Sequence, residues 1–206
     1  MSSVRILWQD EKVLTMRRNI ELKAMYPDLQ SARRICAKLG AAHIGVDRQL
    51  DSFFKVTSGR LKLRESSLTG NSLIFYMRED KNQPKQSDYM IFSIHDNATV
   101  LRELLARALG LFIQLSKTRD IYLYHATRIH LDEVDSLGTF VEFEYVLSET
   151  DSFEKGLEDL GKLKKNFDIH DSSLVDVSYS DLLIRQHPTR QMCQNEAKEE
   201  GPSDKV

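Results

Sequence analysis

Apolar and polar residues alternate with a period of two in several segments between residues 18 and 147. Successive strand side chains point to opposite faces, so this alternation predicts strands. They are expected over Arg18–Met25, Asp47–Val56, Arg60–Glu65, Ser72–Glu79, Asp88–Ser93, Leu115–Leu123, Tyr124–Leu131 and Gly138–Leu147. A 3.6-residue period marks helices instead. Asp28 caps a helix over Leu29–Leu39, with Leu29, Ala32, Ile35, Cys36 and Leu39 as its apolar stripe and Gly40 as its stop. Others are expected over Thr99–Leu109, over Phe153–Leu163 and from about Ser180 onward. Asp80–Ser87 has no apolar residue and is expected to be a mobile loop.

The polar parity of these strands is charged. Glu21 and Lys23 share a face opposite Ile20, Leu22 and Ala24. Arg60, Lys62 and Arg64 share one opposite Leu61 and Leu63. Lys117 and Arg119 share a face, as do Arg128, His130 and Asp132; Glu142 and Glu144 oppose Val141, Phe143 and Tyr145, and Arg78 lies near a strand end. A sheet with one solvated face would satisfy any one of these strands. The charges sort by strand, however, and three cations on one short strand repel unless an anion lies among them. The predicted helices are also too few to cover a large sheet. The expected fold is therefore α+β: a closed eight-stranded antiparallel β-barrel, charged inside, apolar outside beneath a few helices. Arginine and lysine in such a lumen suit polyphosphate oxygens, and the carboxylates suit Mg²⁺ or Mn²⁺.

Bulk composition narrows the alternatives. With 206 residues, 41% hydrophobic and 29% charged, the chain fits one globular domain plus tails. A net charge of −2 gives no general attraction to nucleic acid or membranes, so neither is an expected partner. Cys36 and Cys193 lack metal spacing and form no disulfide framework, which fits a reducing, cytoplasmic setting. Met1–Leu7 has no long apolar run, so no signal peptide is expected, and no stretch approaches the about 18 apolar residues of a membrane span. Residues 1–17 are read as an N-terminal arm, 18–185 as the folded domain, and the polar 186–206 as a disordered tail.

The segment Arg18–Ala24 (RNIELKA) is similar to the E-x-E-x-K opening strand of the CYTH, or triphosphate tunnel, family. Gln49–Phe54 (QLDSFF) followed by Gly59–Glu65 (GRLKLRE) resembles the Q-x-D-x-[FY]-[FY]…G-R-L-K-L-R-E pattern of its class IV adenylyl cyclase branch. LIFYMRED, KTRDIY, RIHLDEVDSLGTFVEFE and SYSDLL then follow in the family's order. The resemblance implies a tunnel barrel that acts with divalent metal on ATP, inorganic triphosphate or thiamine triphosphate. It implies metal-binding roles for Glu21, Glu142 and Glu144, with Asp132 as a metal or supporting group. It implies phosphate-facing roles for Lys23, Arg60, Lys62, Arg64, Arg78, Lys117, Arg119 and Arg128, with Lys23 and Arg119 as the expected catalytic residues. Two positions depart from the pattern. Asn19 replaces the first glutamate of E-x-E-x-K, and Phe92-Ser93-Ile94-His95 lacks a lysine that many relatives carry before Gly-Pro.

Other features carry less chemistry. The six histidines do not cluster at metal spacing, although His130 shares the parity of Arg128 and Asp132. Ser178, Asp181 and His187 lack the context of a hydrolase triad. Cys36 reads as core, and Lys162–Lys165 as a solvated helix end. Three functions follow from the resemblance: a cyclase converting ATP to cyclic AMP and pyrophosphate, an inorganic or thiamine triphosphatase, and a binder without turnover. Monomer and homodimer remain open.

Overall fold

The period-two segments do become strands, and their edges close on one another. The computed structural model describes residues 17–78, 85–148 and 150–186. Eight strands, β1 (Arg17–Met25), β2 (Ala42–Phe54), β3 (Arg60–Ser66), β4 (Asn71–Arg78), β5 (Lys85–Ile94), β6 (Leu111–Tyr124), β7 (Thr127–Val134) and β8 (Gly138–Val146), form a closed barrel in the order β1-β5-β4-β3-β2-β6-β7-β8. Each neighbouring pair is antiparallel. Closure leaves no sheet edge to be capped. Around it lie α1 (Leu29–Lys38), α2 (Ala98–Leu109), α3 (Phe153–Asn166) and α4 (Tyr179–Gln186).

Helix ends follow local chemistry. The Asp28 side chain accepts a hydrogen bond from the Ser31 amide at 2.9 Å, which stops α1 from fraying. Ser152 does the same for α3 through Lys155. The outward parity of β1, β7 and β8 packs beneath α1 and α3: Ile20, Leu22, Ile129 and Phe143 meet Cys36, Leu160 and Leu163. Full burial of such a side chain contributes about 1.5–3 kcal/mol. Gly156 permits the close approach of α3, because a Cβ there would fall 2.5 Å from Ile20.

Several boundaries differ from the expectation. β2 begins at Ala42 rather than Asp47 and β6 at Leu111 rather than Leu115, so this pair is the longest in the barrel. A register shift between His43 and Gly45 admits the extra length. β7 runs over Thr127–Val134 rather than Tyr124–Leu131, because Tyr124 completes β6 and His125 adopts φ 51° in the turn. Lys85–Ser87, expected in a loop, pair within β5. Arg17, expected in the arm, belongs to β1 and Gln186, expected in the tail, to α4; the rest of the arm (1–16), the rest of the tail (187–206) and residues 79–84 lie outside the described residues.

The inside parity is also not charged throughout. At the end where α4 packs, lumen-facing Phe53, Leu115 and Phe140 join Tyr179, with Leu182 and Leu183 behind them. Among the described residues, this second apolar cluster covers one end of the barrel. Strand directions place the β3–β4, β6–β7 and α1–β2 connections at the opposite, open end.

Candidate functional site

A cavity of about 520 Å³ occupies the lumen between those two ends. Alternation aims Asn19, Glu21 and Lys23 of β1, Lys62 and Arg64 of β3, Lys117 and Arg119 of β6, Arg128 and His130 of β7, and Glu142 and Glu144 of β8 into it. Most of the charged residues marked in the sequence thus converge on one space.

They form two clusters. In the first, Asp51 of β2 is 1% exposed and accepts from three cations. Lys62 Nζ lies at 3.0 Å, Lys117 Nζ at 3.2 Å, and Arg64 grips both oxygens at 2.7 Å. Burial alone would raise the Asp51 carboxyl, but Arg64, Lys117 and Lys62 hold it well below the usual carboxylate range. Burial and the neighbouring Arg64 push Lys62 down to about 8, against the pull of Asp51. Lys117 falls well below the usual lysine value, chiefly through burial. Three cations around one carboxylate leave this pole of the lumen positive.

In the second cluster Arg119 bridges two acids. Its Nε and Nη2 donate to Asp132 at 2.7 and 2.6 Å, and Nη2 also reaches Glu142 at 2.6 Å. Lys23 Nζ lies 3.2 Å from the other Glu142 oxygen and 4.0 Å from the centre of the Tyr179 ring. The Tyr179 hydroxyl donates to Asp132 at 2.7 Å. Burial opposes ionisation of Glu142, yet Lys23 and Arg119 hold its carboxyl well below the ordinary range. Nearer the open end, Glu144 receives Asn19 Nδ2 at 2.5 Å and Arg128 Nη1 at 3.2 Å. Asn19 Nδ2 also lies 3.3 Å from Glu21. His130 enters the lumen, with Nδ1 3.5 Å from Glu142, and burial, aided by Arg119, lowers its pKa.

Two expected site residues stand apart. Arg60 does not line the cavity; at the closed end it donates to Asp181 of α4 at 2.7 Å and so pins that helix. Asp132 is fully buried with both oxygens engaged by Arg119 and Tyr179, away from the cavity surface. The Arg78 side chain lies outside the described residues.

Sequence reasoning passed over Asp51 and Tyr179. A lone acid within Leu50-Asp51-Ser52-Phe53-Phe54 is the available signal for the first, since a buried carboxylate requires cationic partners. Tyr179 gave no comparable signal, because its partners are distant in sequence.

Among the described residues, no three His, Cys, Asp or Glu side chains form a ready-made metal cage. The donor chemistry still fits a hard divalent cation. Glu21 and Glu144 are paired across β1 and β8, and Asn19 touches both. The buried Asn19 Oδ1 has no hydrogen-bond partner. Mg²⁺ is commonly held by one or two carboxylates and completed by phosphate oxygens and water, so a closed protein cage is not required.

Comparison with known proteins agrees with this architecture. Residues 17–179 match the CYTH domain. No curated protein matches the chain significantly in sequence. The PH1012 protein of Pyrococcus horikoshii OT3 superposes with a TM-score of 0.71 at 22% identity, covering 80% of this chain and 98% of its own. An adenylate cyclase candidate from Vibrio parahaemolyticus gives 0.68 at 17% identity, covering 82% and 99%. HpAC1 from Hippeastrum, an adenylyl cyclase candidate with dominant triphosphatase activity, gives 0.57 at 16% identity, covering 84% and 96%.

Proposed function

Given that the chain belongs to the CYTH domain family, we propose that it is a divalent-metal-dependent, triphosphate-processing enzyme of the class IV adenylyl cyclase-like kind. The observation that carries this reading is the Asp51 cluster: three desolvated cations share one carboxylate inside a closed barrel. A dianionic or more highly charged phosphate is the ligand chemistry that balances such a pole. Two buried side-chain oxygens without hydrogen-bond partners, Asn19 Oδ1 and Gln49 Oε1, belong to residues lining the same cavity, so its polar wall is built to meet a guest.

Lys62, Arg64 and Lys117 grip phosphate oxygens, while Lys23 and Arg119 lie between that pole and the acidic wall and act on the reacting phosphorus. Asp132 and Tyr179 fix Arg119 and Lys23 in place, and Glu142 orients both cations. Glu21 and Glu144, with Asn19 beside them, are the residues that would hold Mg²⁺ or Mn²⁺. The bound cation would neutralise phosphate charge. In cyclisation the ribose 3′-oxygen attacks the α-phosphorus and pyrophosphate leaves; in hydrolysis water attacks the terminal phosphorus. Both depend on positioning and charge neutralisation.

Hydrolysis of inorganic or thiamine triphosphate is the second reading, favoured by the activity of the Hippeastrum protein that shares this fold. A binder without turnover is the third, favoured by Asn19 in the place of a glutamate. The deciding experiment incubates the protein with ATP, inorganic triphosphate and thiamine triphosphate, with Mg²⁺ or Mn²⁺, and identifies products. Cyclic AMP plus pyrophosphate supports the cyclase, and orthophosphate the hydrolase. Binding without any product leaves the binder.

A further inference from the structure

Among the described residues, Lys23, Lys62 and Lys117 line the lumen, and they differ in access. The Lys117 side chain is 2% exposed and that of Lys23 is 7%, the latter held between Glu142 and the face of Tyr179. Lys62 is the most open of them, at 14%. Its Nζ lies 5.4 Å from the centre of the Phe53 ring and 5.6 Å from that of Tyr76, so the amine has aromatic walls beside it. Arg64 and Lys117 share its carboxylate partner, Asp51. An amine, two aromatic rings and a pair of anion-binding cations therefore meet in one place.

A desolvated lysine beside other cations is the setting in which the amine becomes a nucleophile toward a carbonyl carbon. Burial and Arg64 push Lys62 down to about 8, so about half of it is the free amine at that pH. We infer that Lys62 is a carbonyl-reactive amine, which forms an imine with phosphorylated aromatic aldehydes that enter the lumen. The phosphate sits on Arg64 and Lys117, and the ring lies against Phe53 and Tyr76. The free amine adds to the aldehyde carbon, and a C–N bond forms. The aldehyde oxygen then leaves as water, carrying one proton from the nitrogen and one from solvent. The product is a C=N bond with its nitrogen still protonated, and nothing is oxidised or reduced. That iminium keeps a positive charge beside Asp51, so the ion pair survives the reaction. The adduct fills the place proposed for triphosphate, which makes such aldehydes reversible blockers of the site. This inference rests on the anion-binding part of the reading above, not on turnover.

The probe is pyridoxal 5′-phosphate at a pH of about 8, trapped with borohydride, which reduces the C=N bond to a stable secondary amine. Peptide mapping by mass spectrometry locates the label. Lys62 should carry about tenfold or more label than Lys155 and Lys162, exposed lysines of α3. Pyridoxal without the phosphate should label Lys62 about tenfold less, since it lacks the anchor on Arg64 and Lys117. The bis-methylene analogue of inorganic triphosphate, whose phosphorus chain does not hydrolyse, should protect Lys62 and leave the α3 lysines unchanged. Lys62→Arg keeps the charge and should remove most of the imine absorbance. Label spread evenly over the lysines, or equal labelling of Lys62 by the two aldehydes, overturns the inference. Calorimetry of the triphosphate analogue on the same protein separates the two readings. An analogue that binds while Lys62 stays unlabelled removes the imine and keeps the triphosphate reading; binding of neither compound removes both.

Discussion

The Lys117 ammonium lies 3.2 Å from the Asp51 carboxylate, and both side chains are almost wholly shielded from water, at 2% and 1% exposure. Lys62 and Arg64 bind the same carboxylate. One anion thus keeps three neighbouring cations compatible with the folded state.

Asp51→Asn should therefore destabilise the protein. Removing one member of a buried ionic group typically costs about 3–5 kcal/mol, because the remaining charges stay desolvated and unpaired. Urea denaturation at neutral pH measures the loss. Adding inorganic triphosphate should restore more stability to the variant than to the wild type, since an external anion can then stand among the cations. An unchanged urea midpoint would show that Asp51 does not hold this cluster together.

Anion affinity should weaken as pH rises through about 8, where Lys62 gives up its proton. Stability should move the other way. In this window the unfolded chain keeps a proton that the folded chain releases, so this group's contribution to stability rises with pH up to the ordinary lysine value, 10.5. Calorimetric titration of the bis-methylene triphosphate across pH 7 to about 9.5 reads the first effect, and urea midpoints the second. Lys62→Arg, which stays charged, should flatten the binding profile. A wild-type profile already as flat as that of the variant would place the titration elsewhere.

On the acid side, Asp51 and Glu142 have carboxyl groups held well below their ordinary values. Their contribution is complete above the unfolded-state values, 3.8 and 4.5, and is lost as pH falls through the lower folded ones. Glu142→Gln removes a partner of both Lys23 and Arg119, so it should lower stability at neutral pH and reduce the further loss on acidification. Thermal unfolding between pH 2 and 7 compares the two proteins. Parallel curves would indicate that Glu142 is not responsible for the acid limb.

Asn19→Glu tests the metal assignment without relying on turnover. Asn19 now donates to both Glu21 and Glu144. A third carboxylate would replace those attractions with repulsion, so the metal-free protein should melt earlier. The added charge should also tighten Mn²⁺ binding, by an amount on the order of 1–4 kcal/mol in a partly desolvated site. Melting temperature against Mn²⁺ concentration reads both effects. A metal midpoint shifted less than tenfold would move the cation away from Asn19.

Alternation made the barrel and its charged interior legible, because register flips every side chain and only one parity is compatible with a core beneath α1 and α3. It also marked Lys23, Lys62, Arg64, Lys117, Arg119, Glu142 and Glu144, which do share the cavity. What it could not show depends on partners from other strands. Asp51 looks like an ordinary acid until β2, β3 and β6 bring three cations to it. Asp132 has the parity of a metal ligand, but Arg119 and Tyr179 use its oxygens. Arg60 continues the pattern of Lys62 and Arg64, yet one more layer carries it to Asp181. The shift of β7 escaped notice because the β6–β7 turn places a histidine, rather than glycine or asparagine, at positive φ.

Among the described residues, apolar packing by α4 covers one end of the barrel. Tyr179 and Ser178 line the inner end of the cavity, and the cluster around Phe53, Leu115 and Phe140 lies behind them. On the triphosphate reading, a fragment seated against Lys62 and Lys117 is the deeper one and leaves toward the uncovered end only after the outer fragment has gone, so the inner fragment is the expected product inhibitor.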